Sequence, residues 1–297
     1  ATRRHGYVVL RLEYEGACYH VINRGNYRRD LFAGAGAARA FERCLGETCE
    51  RYGWRVHAFA IMRNHFHLAV ETPQPNLSLG MKYLQGTWAN RFNRYRGETG
   101  RPFQGRYKAL HVEPGHALAQ VARYIHLNPV RAKITSAGGL ATFRWSSLWW
   151  FGQKRRPSWL VVETALAAAG KLVDGEAGWR RYGEYLAVLA EENPAERDRR
   201  FGSMSRGWAV GTKQFRQELV EELRIRGLSL EGAARHGDLA GDRRLLREDI
   251  WEERLIATAK AMGIDLCALG VRKRDPAKVR LAVIMKTTTD ASNGWLG

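Results

Sequence analysis

Short runs of β-forming residues alternate with longer segments of helical periodicity in the first half of the chain. Ala17–Asn23 (ACYHVIN) reads as a strand that runs into a turn at Arg24-Gly25-Asn26. A helix is predicted over about Ala37–Tyr52, where Phe41, Leu45, Cys49 and Tyr52 share one face and Gly53 is the stop. Trp54–Met62 and His65–Glu71 both read as strands. Only Arg63-Asn64 separates them, so they are expected to pair antiparallel. Thr72–Asn76 contains two prolines and breaks the pattern. A second helix is predicted from about Ser78 to Tyr95, with Met81, Leu84, Trp88, Phe92 and Tyr95 at helical spacing. Arg106–Glu113 reads as a strand, and His116–Leu127 as a helix that Asn128-Pro129 should close, because the residue before proline avoids the α region.

The aromatic segment Phe143–Phe151 follows, and then the polar, basic Gly152–Pro157, a predicted domain boundary. Beyond it the apolar periodicity is helical, in patches at Val161–Ala169, Trp179–Leu189, Lys213–Leu223 and Trp251–Met262. The expectation is an α+β domain over residues 1–152, an antiparallel sheet packed with helices, and an α-helical region over residues 153–297.

Charge changes this picture by naming a class of partner. The chain of 297 residues carries a formal net charge of +18, with 48 Lys and Arg against 30 Asp and Glu. Residues 1–152 hold +13 of that excess. Such self-repulsion is offset by a polyanion, so the N-terminal half is the expected nucleic-acid surface. Arg outnumbers Lys, which suits bidentate phosphate and base contacts. The candidate contact residues are Arg24, Asn26, Arg28, Arg63, Arg91, Arg94, Arg106, Lys108 and Arg131. None of Cys18, Cys44, Cys49 and Cys267 forms a CxxC pair, so the spacing indicates neither a zinc site nor a disulfide framework. No apolar run is long enough for a membrane helix and no signal-peptide pattern opens the chain, so a cytoplasmic setting and no membrane partner are expected.

The chemistry concentrates in two places. On a strand, His65 and His67 point to one face while Phe66, Leu68 and Val70 point to the other. Two imidazoles side by side can share one divalent ion, or they can be ordinary histidines of a half-exposed strand. Tyr124 and Asn128 are four apart on the later helix and stack on one face. They can be a nucleophile and an amide ligand, or a packed tyrosine and a helix-terminal Asn. His126 points away from that face and reads as structural. Together these groups suit phosphoryl transfer. A phenol is a weak nucleophile at neutral pH, and a metal held by two His and an amide oxygen can polarise a phosphodiester. Two imidazoles and an amide oxygen suit Mg²⁺ or Mn²⁺ completed by water and phosphate oxygens.

An ordered series of segments carries a resemblance. It runs through Tyr19-His20-Val21, Asn23-Arg24-Gly25-Asn26, Asn64-His65-Phe66-His67-Leu68 and Phe92-Asn93-Arg94. It continues through Phe103-Gln104-Gly105-Arg106-Tyr107-Lys108, Tyr124-Ile125-His126-Leu127-Asn128-Pro129-Val130-Arg131 and Trp145-Ser146-Ser147. Over about residues 11–152 the chain resembles the REP-associated tyrosine transposases, relatives of the single-tyrosine insertion-sequence transposases within the HUH nuclease group. The resemblance implies a ferredoxin-like antiparallel sheet with Tyr124 as nucleophile and His65, His67 and Asn128 as metal ligands. It implies as substrate a hairpin-forming single-stranded DNA with a short flanking recognition sequence, such as a REP-like palindrome, cleaved and rejoined through a 5′-phosphotyrosine link. Arg63 stands where many relatives have proline. Leu255–Met285 resembles the opening of a helix-turn-helix related to that of the replication initiator DnaA, placing a partial domain of that kind at about residues 250–297. Two other readings stand beside this one: a hairpin-binding protein or repressor without catalysis, and a different metal hydrolase built on the His-x-His pair.

Overall fold

The computed structural model describes residues 12–226, 240–269 and 275–296. The described residues fall into two compact units, one up to Gly211 and the other from Thr212 onward.

The first unit is built on a βαββαβ order. Strand β1 (Ala17–Arg24) is followed by helix α1 (Ala35–Tyr52), strands β2 (Arg55–Ile61) and β3 (His65–Thr72), helix α2 (Leu77–Arg96) and strand β4 (Lys108–Val112). The sheet order is β2-β3-β1-β4, and each neighbouring pair is antiparallel. This is the ferredoxin-like α+β arrangement. Alternation along the strands assigns the two faces. Phe66 meets Phe41 of α1 at 4.6 Å between ring centroids and Phe103 at 5.8 Å, while Trp88 of α2 packs on Phe41, Phe92 and Phe103. The opposite face carries Ala58, Ala60 and Ala69, all fully buried. Their small side chains form a shallow bed for helix α3 (His116–Arg131), which lies against β2 and β3.

Helix α3 does not end at Asn128. It runs through Pro129 to Arg131, and the Ala132 N–H closes back onto the Asn128 carbonyl at 2.9 Å. The expected stop is overridden by burial: Ile125 and Leu127 lie in the core, and Pro129 is buried too. Proline removes one helical hydrogen bond, and packing of the whole turn offsets that loss. The consequence is that Asn128 is held in regular helical geometry one turn beyond Tyr124.

Segments beyond residue 140 close both edges of the sheet. Along β2 the Ile61 N–H reaches the Trp145 carbonyl, the Phe59 N–H the Ser147 hydroxyl, and the Val56 N–H the Trp159 carbonyl, at 2.8–2.9 Å. Beyond β4 lies β5 (Ala209–Val210), paired parallel through His111↔Ala209 and Val112↔Val210. An open edge is a template for aggregation, and these segments cover part of both β2 and β4. Helices α4 (Glu163–Ala167), α5 (Glu176–Glu191) and α6 (Pro194–Phe201) connect these two closures. The compact unit therefore continues past the Gly152–Pro157 boundary expected from composition, because edge closure leaves no compositional trace. A chain ending at Gly211 is expected to remain soluble and to melt cooperatively. One ending at Arg156 is expected to aggregate, and size-exclusion chromatography distinguishes the two. A monomeric, cooperative fragment 1–156 would refute this assignment of the edges.

The aromatic segment is pinned by one carboxylate. Glu42, buried on α1, takes a bidentate contact from Arg144 at 2.8 and 2.9 Å and the Trp150 indole N–H at 2.7 Å, while Arg144 stacks on Trp149. Glu42→Ala would strand both donors and is expected to cost about 2–4 kcal/mol, less than a fully buried pair because Arg144 keeps some solvent. Urea denaturation checks this, and a loss under about 0.5 kcal/mol would refute it.

The second unit contains α7 (Lys213–Ile225), α8 (Ala240–Ala261), α9 (Pro276–Thr288) and α10 (Asn293–Leu296). Trp251, Met285 and Ala291 form one small buried cluster in it, and the Trp251 indole donates to Asp290 at 2.8 Å. The helices expected at Lys213–Leu223 and Trp251–Met262 fall within α7 and across the end of α8. Arg272-Lys273-Arg274 lies outside the described residues.

Candidate active site

Strand β3 presents His65 and His67 to the α3 face, and β1 places His20 diagonally beside them in the register Ile22↔His67, His20↔Ala69. Tyr124 drops from α3 onto this group. Its ring centroid is 5.6 Å from that of His20 and 5.8 Å from that of His67, both edge-on. Tyr124 is buried, with Phe201 at 6.1 Å on a further side. The Arg131 guanidinium lies 4.7 Å above the tyrosine ring, and its Nη1 is buried with no hydrogen-bond partner. Asn128, on the same face of α3, is buried and its Nδ2 is also without a partner.

The hydrogen bonds dictate which imidazole nitrogens carry protons. The Met204 carbonyl can only accept, so His20 Nδ1, at 2.6 Å, is the protonated nitrogen. Burial lowers the His20 pKa to about 4, so the ring is neutral and its Nε2 is a lone pair. That lone pair accepts from His67 Nδ1 at 3.0 Å. The chain of donors thus leaves the Nε2 lone pair of His67 free. At His65, Nδ1 donates to the Asn64 side-chain oxygen at 2.7 Å, which leaves its Nε2 free as well. Burial, reinforced by Arg24, lowers His65 to about 4, and burial with the neighbouring His20, His65 and arginines holds His67 well below the ordinary range. Two neutral imidazoles with free Nε2 lone pairs, with a buried amide on α3 whose Nδ2 has no hydrogen-bond partner, form a donor set that fits a divalent cation.

His20 stood in the sequence only as one letter of a motif, and nothing in its spacing marked it as the group that orients His67. A second signal was missing because its own acceptor, Met204, is 184 residues away. Replacing His20 by Ala frees the His67 ring, and the expected result is a 10- to 100-fold loss of metal affinity with little change in fold. Isothermal titration with Mn²⁺ measures it, and unchanged affinity would exclude the orienting role. His126 is structural as expected: it is fully buried between the Tyr182 hydroxyl at 2.9 Å and the Ser147 hydroxyl at 2.7 Å, and burial lowers its pKa to about 3.

The predicted contact residues divide by what already holds them. Arg24, Arg28, Arg94 and Arg106 are exposed, and Asn26 is half-buried. Lys108 donates to the Ser205 carbonyl at 3.0 Å. Arg63 donates to Asp30 at 2.7 Å, and Arg91 is committed to Glu47 and to the Cys44 sulfur. Arg91 therefore ties α2 to α1.

Residues 13–128 match the family model described as "Transposase IS200 like". Over these residues the chain is similar to the IS200-like transposases. The match supports a transposase-like function. Among solved structures the chain is similar to a REP-associated tyrosine transposase bound to a REP hairpin, at 14% identity and a TM-score of 0.40, covering 46% of this chain and 80% of that one. It is also similar to a putative transposase from Deinococcus radiodurans R1, at 24% identity and a TM-score of 0.29, covering 42% of this chain and 95% of that one. No curated protein matches the chain. Among the described residues no helix is long and apolar enough to cross a membrane.

Proposed function

We propose that the transposase-like domain cleaves and rejoins single-stranded, hairpin-forming DNA through a 5′-phosphotyrosine intermediate, with Tyr124 as nucleophile. The observation that carries this reading is the packing of the Tyr124 ring against His67 and His20, beside a buried Arg131 Nη1 and a buried Asn128 Nδ2 that have no protein partner. Buried polar atoms are rarely left without a partner, and a scissile phosphate would supply one.

His65, His67 and Asn128 would hold Mg²⁺ or Mn²⁺. The ion, when bound, polarises the phosphate and stabilises charge that develops on its oxygens. Arg131 holds a phosphate oxygen beside the phenol. His20 keeps His67 in the tautomer that leaves Nε2 bare. The Tyr124 oxygen forms its bond to phosphorus as the bond from phosphorus to the 3′ oxygen breaks. The phenolic proton leaves, the departing 3′ oxygen gains one, and a free 3′-OH results. Attack of a 3′-OH on the phosphotyrosine reverses the step and joins strands. The exposed Arg24, Arg28, Arg94 and Arg106, with Asn26, are the surface groups proposed to track the DNA backbone. Residues 1–152 hold every proposed catalytic group, and residues from about 250 are proposed as a further DNA contact of helix-turn-helix type.

The test is a 3′-labelled hairpin oligonucleotide incubated with the full chain and Mn²⁺, then run on a denaturing gel. A covalent shift that requires the single-stranded flank is expected. A plain duplex of the same sequence should give none, and binding to it should be weaker. Binding without any adduct under these conditions would support the repressor reading instead.

A further inference from the structure

The α3 face of the sheet holds a second cluster of ligand-type side chains, four residues along β3 from His67, about 13 Å at the rise of a strand. Cys18 of β1 and Glu71 of β3 are directly opposed in the register, so their side chains share that face. His57 joins them through an irregularity. The β2–β3 register shifts between Val56 and Ala58, which makes His57 the extra, bulged residue. Bulges re-aim side chains, and this one turns the imidazole of His57 toward Glu71. The sulfur, a ring nitrogen and a carboxylate oxygen all lie within 4.8 Å of one another.

The surroundings hold these groups as ligands are held. His57 Nδ1 contacts the Thr164 hydroxyl at 2.8 Å, which orients the ring and directs Nε2 at Glu71 Oε2, 3.2 Å away. Arg55 takes the other carboxylate oxygen, also at 3.2 Å, and so fixes the direction of Oε2. Two ligands on one tetrahedral zinc, each bonded at about 2.0–2.2 Å, stand about 3.3–3.5 Å apart. The His57–Glu71 separation of 3.2 Å lies close to that range. A cavity of about 530 Å³ opens beside the three groups, bounded on the far side by Leu118 and Ala119 of α3. It has room for a water or another ligand in the remaining coordination position. Cys18 forms no disulfide, and all four cysteines are free. Burial and the neighbouring Glu71 push its thiol up to about 12, so without a cation it stays protonated at neutral pH.

We propose that Cys18, His57 and Glu71 form a structural site for a zinc-class divalent cation, separate from the His65–His67 pair, with the fourth position open to the cavity. Thiolate and carboxylate together neutralise the ion, and binding releases the thiol proton to solvent. A site that ties β1, β2 and β3 together at their ends would brace the strands that carry His20 and His67. This goes beyond the nuclease reading and does not depend on it, because sulfur ligation has its own spectrum.

The experiment is titration of the full chain with Co²⁺. A thiolate-to-metal charge-transfer band in the near ultraviolet that saturates with one thiolate-bound cobalt per chain is expected, and Zn²⁺ should erase the band by displacement. Cys18→Ser should abolish the band, and Glu71→Gln should weaken the cobalt affinity at least about tenfold. Cys267→Ser and Tyr124→Phe should leave the band intact. A full chain that shows no such band, or a band that survives in Cys18→Ser, overturns the site. If Cys18→Ser does not fold, unchanged affinity in Glu71→Gln overturns it equally.

Discussion

Tyr124→Phe is expected to eliminate the covalent protein–DNA adduct and to slow strand cleavage at least about a thousandfold, while hairpin affinity changes by less than about threefold. The substitution deletes one hydroxyl and keeps the ring. The contacts of that ring with His20, His67 and Phe201 and the stacking of Arg131 depend on the aromatic system. The fold should therefore be preserved, and thermal melting should stay within a few degrees of the parent. If Tyr124 were only a core residue, cleavage would be nearly unaffected. The expected selectivity also excludes substitutes. Tyr19 is buried with its hydroxyl donating to the Leu12 carbonyl at 3.1 Å, and Tyr182 is fully buried against His126. Two results would redirect the assignment. An adduct that persists in Tyr124→Phe would mean another tyrosine attacks. Cleavage without an adduct would mean water attacks and would favour a metal hydrolase.

Cleavage is likewise expected to stop in excess EDTA and to return with Mn²⁺ or Mg²⁺, and the two histidines should differ in how far the ion can be restored. His67→Ala is expected to lower cleavage by at least about a hundredfold at all metal concentrations. His67 is buried, and its removal also leaves the His20 Nε2 lone pair buried without a donor. His65 is half-buried and contacts only the neighbouring Asn64 among side chains that hydrogen-bond to it. His65→Ala should therefore be rescued in part, by roughly tenfold, when Mn²⁺ is raised from micromolar to millimolar. Metal-concentration profiles of the two variants under single-turnover conditions make the comparison. Full cleavage in excess chelator would remove the metal from the mechanism, and equal rescue of both variants would remove the His20–His67 linkage.

The comparison of expectation and structure has a physical pattern. Period-two alternation put His65 and His67 on one face, and helical spacing put Tyr124 and Asn128 on another. Both survive because such placements depend on residues a few positions apart. The same holds for the pairing of β2 with β3 across Arg63-Asn64 and for the bounds of α1 and α2. Local rules failed where burial outweighed them. Pro129 should have ended α3, yet the helix continues because the apolar turn around it packs against the sheet. Charge alone named Arg91 a candidate phosphate contact; its pairing with Glu47 across the α1–α2 contact is visible only in the tertiary structure.

What the sequence by itself determined is therefore the local content of the protein: its alternating strands and helices, a basic N-terminal half, and the pairs His65–His67 and Tyr124–Asn128. Tertiary structure alone decided which of these meet. It brought Tyr124 onto His67, and it supplied His20 and the Met204 carbonyl that set the free nitrogen of His67. It used segments near 145–161 and 209–210 to close both sheet edges, and it gathered Cys18, His57 and Glu71 across three strands. The reason is the range of the interactions. Periodicity and turn chemistry act within a few residues, whereas a hydrogen bond from residue 20 to residue 204 depends on the packing of everything between them.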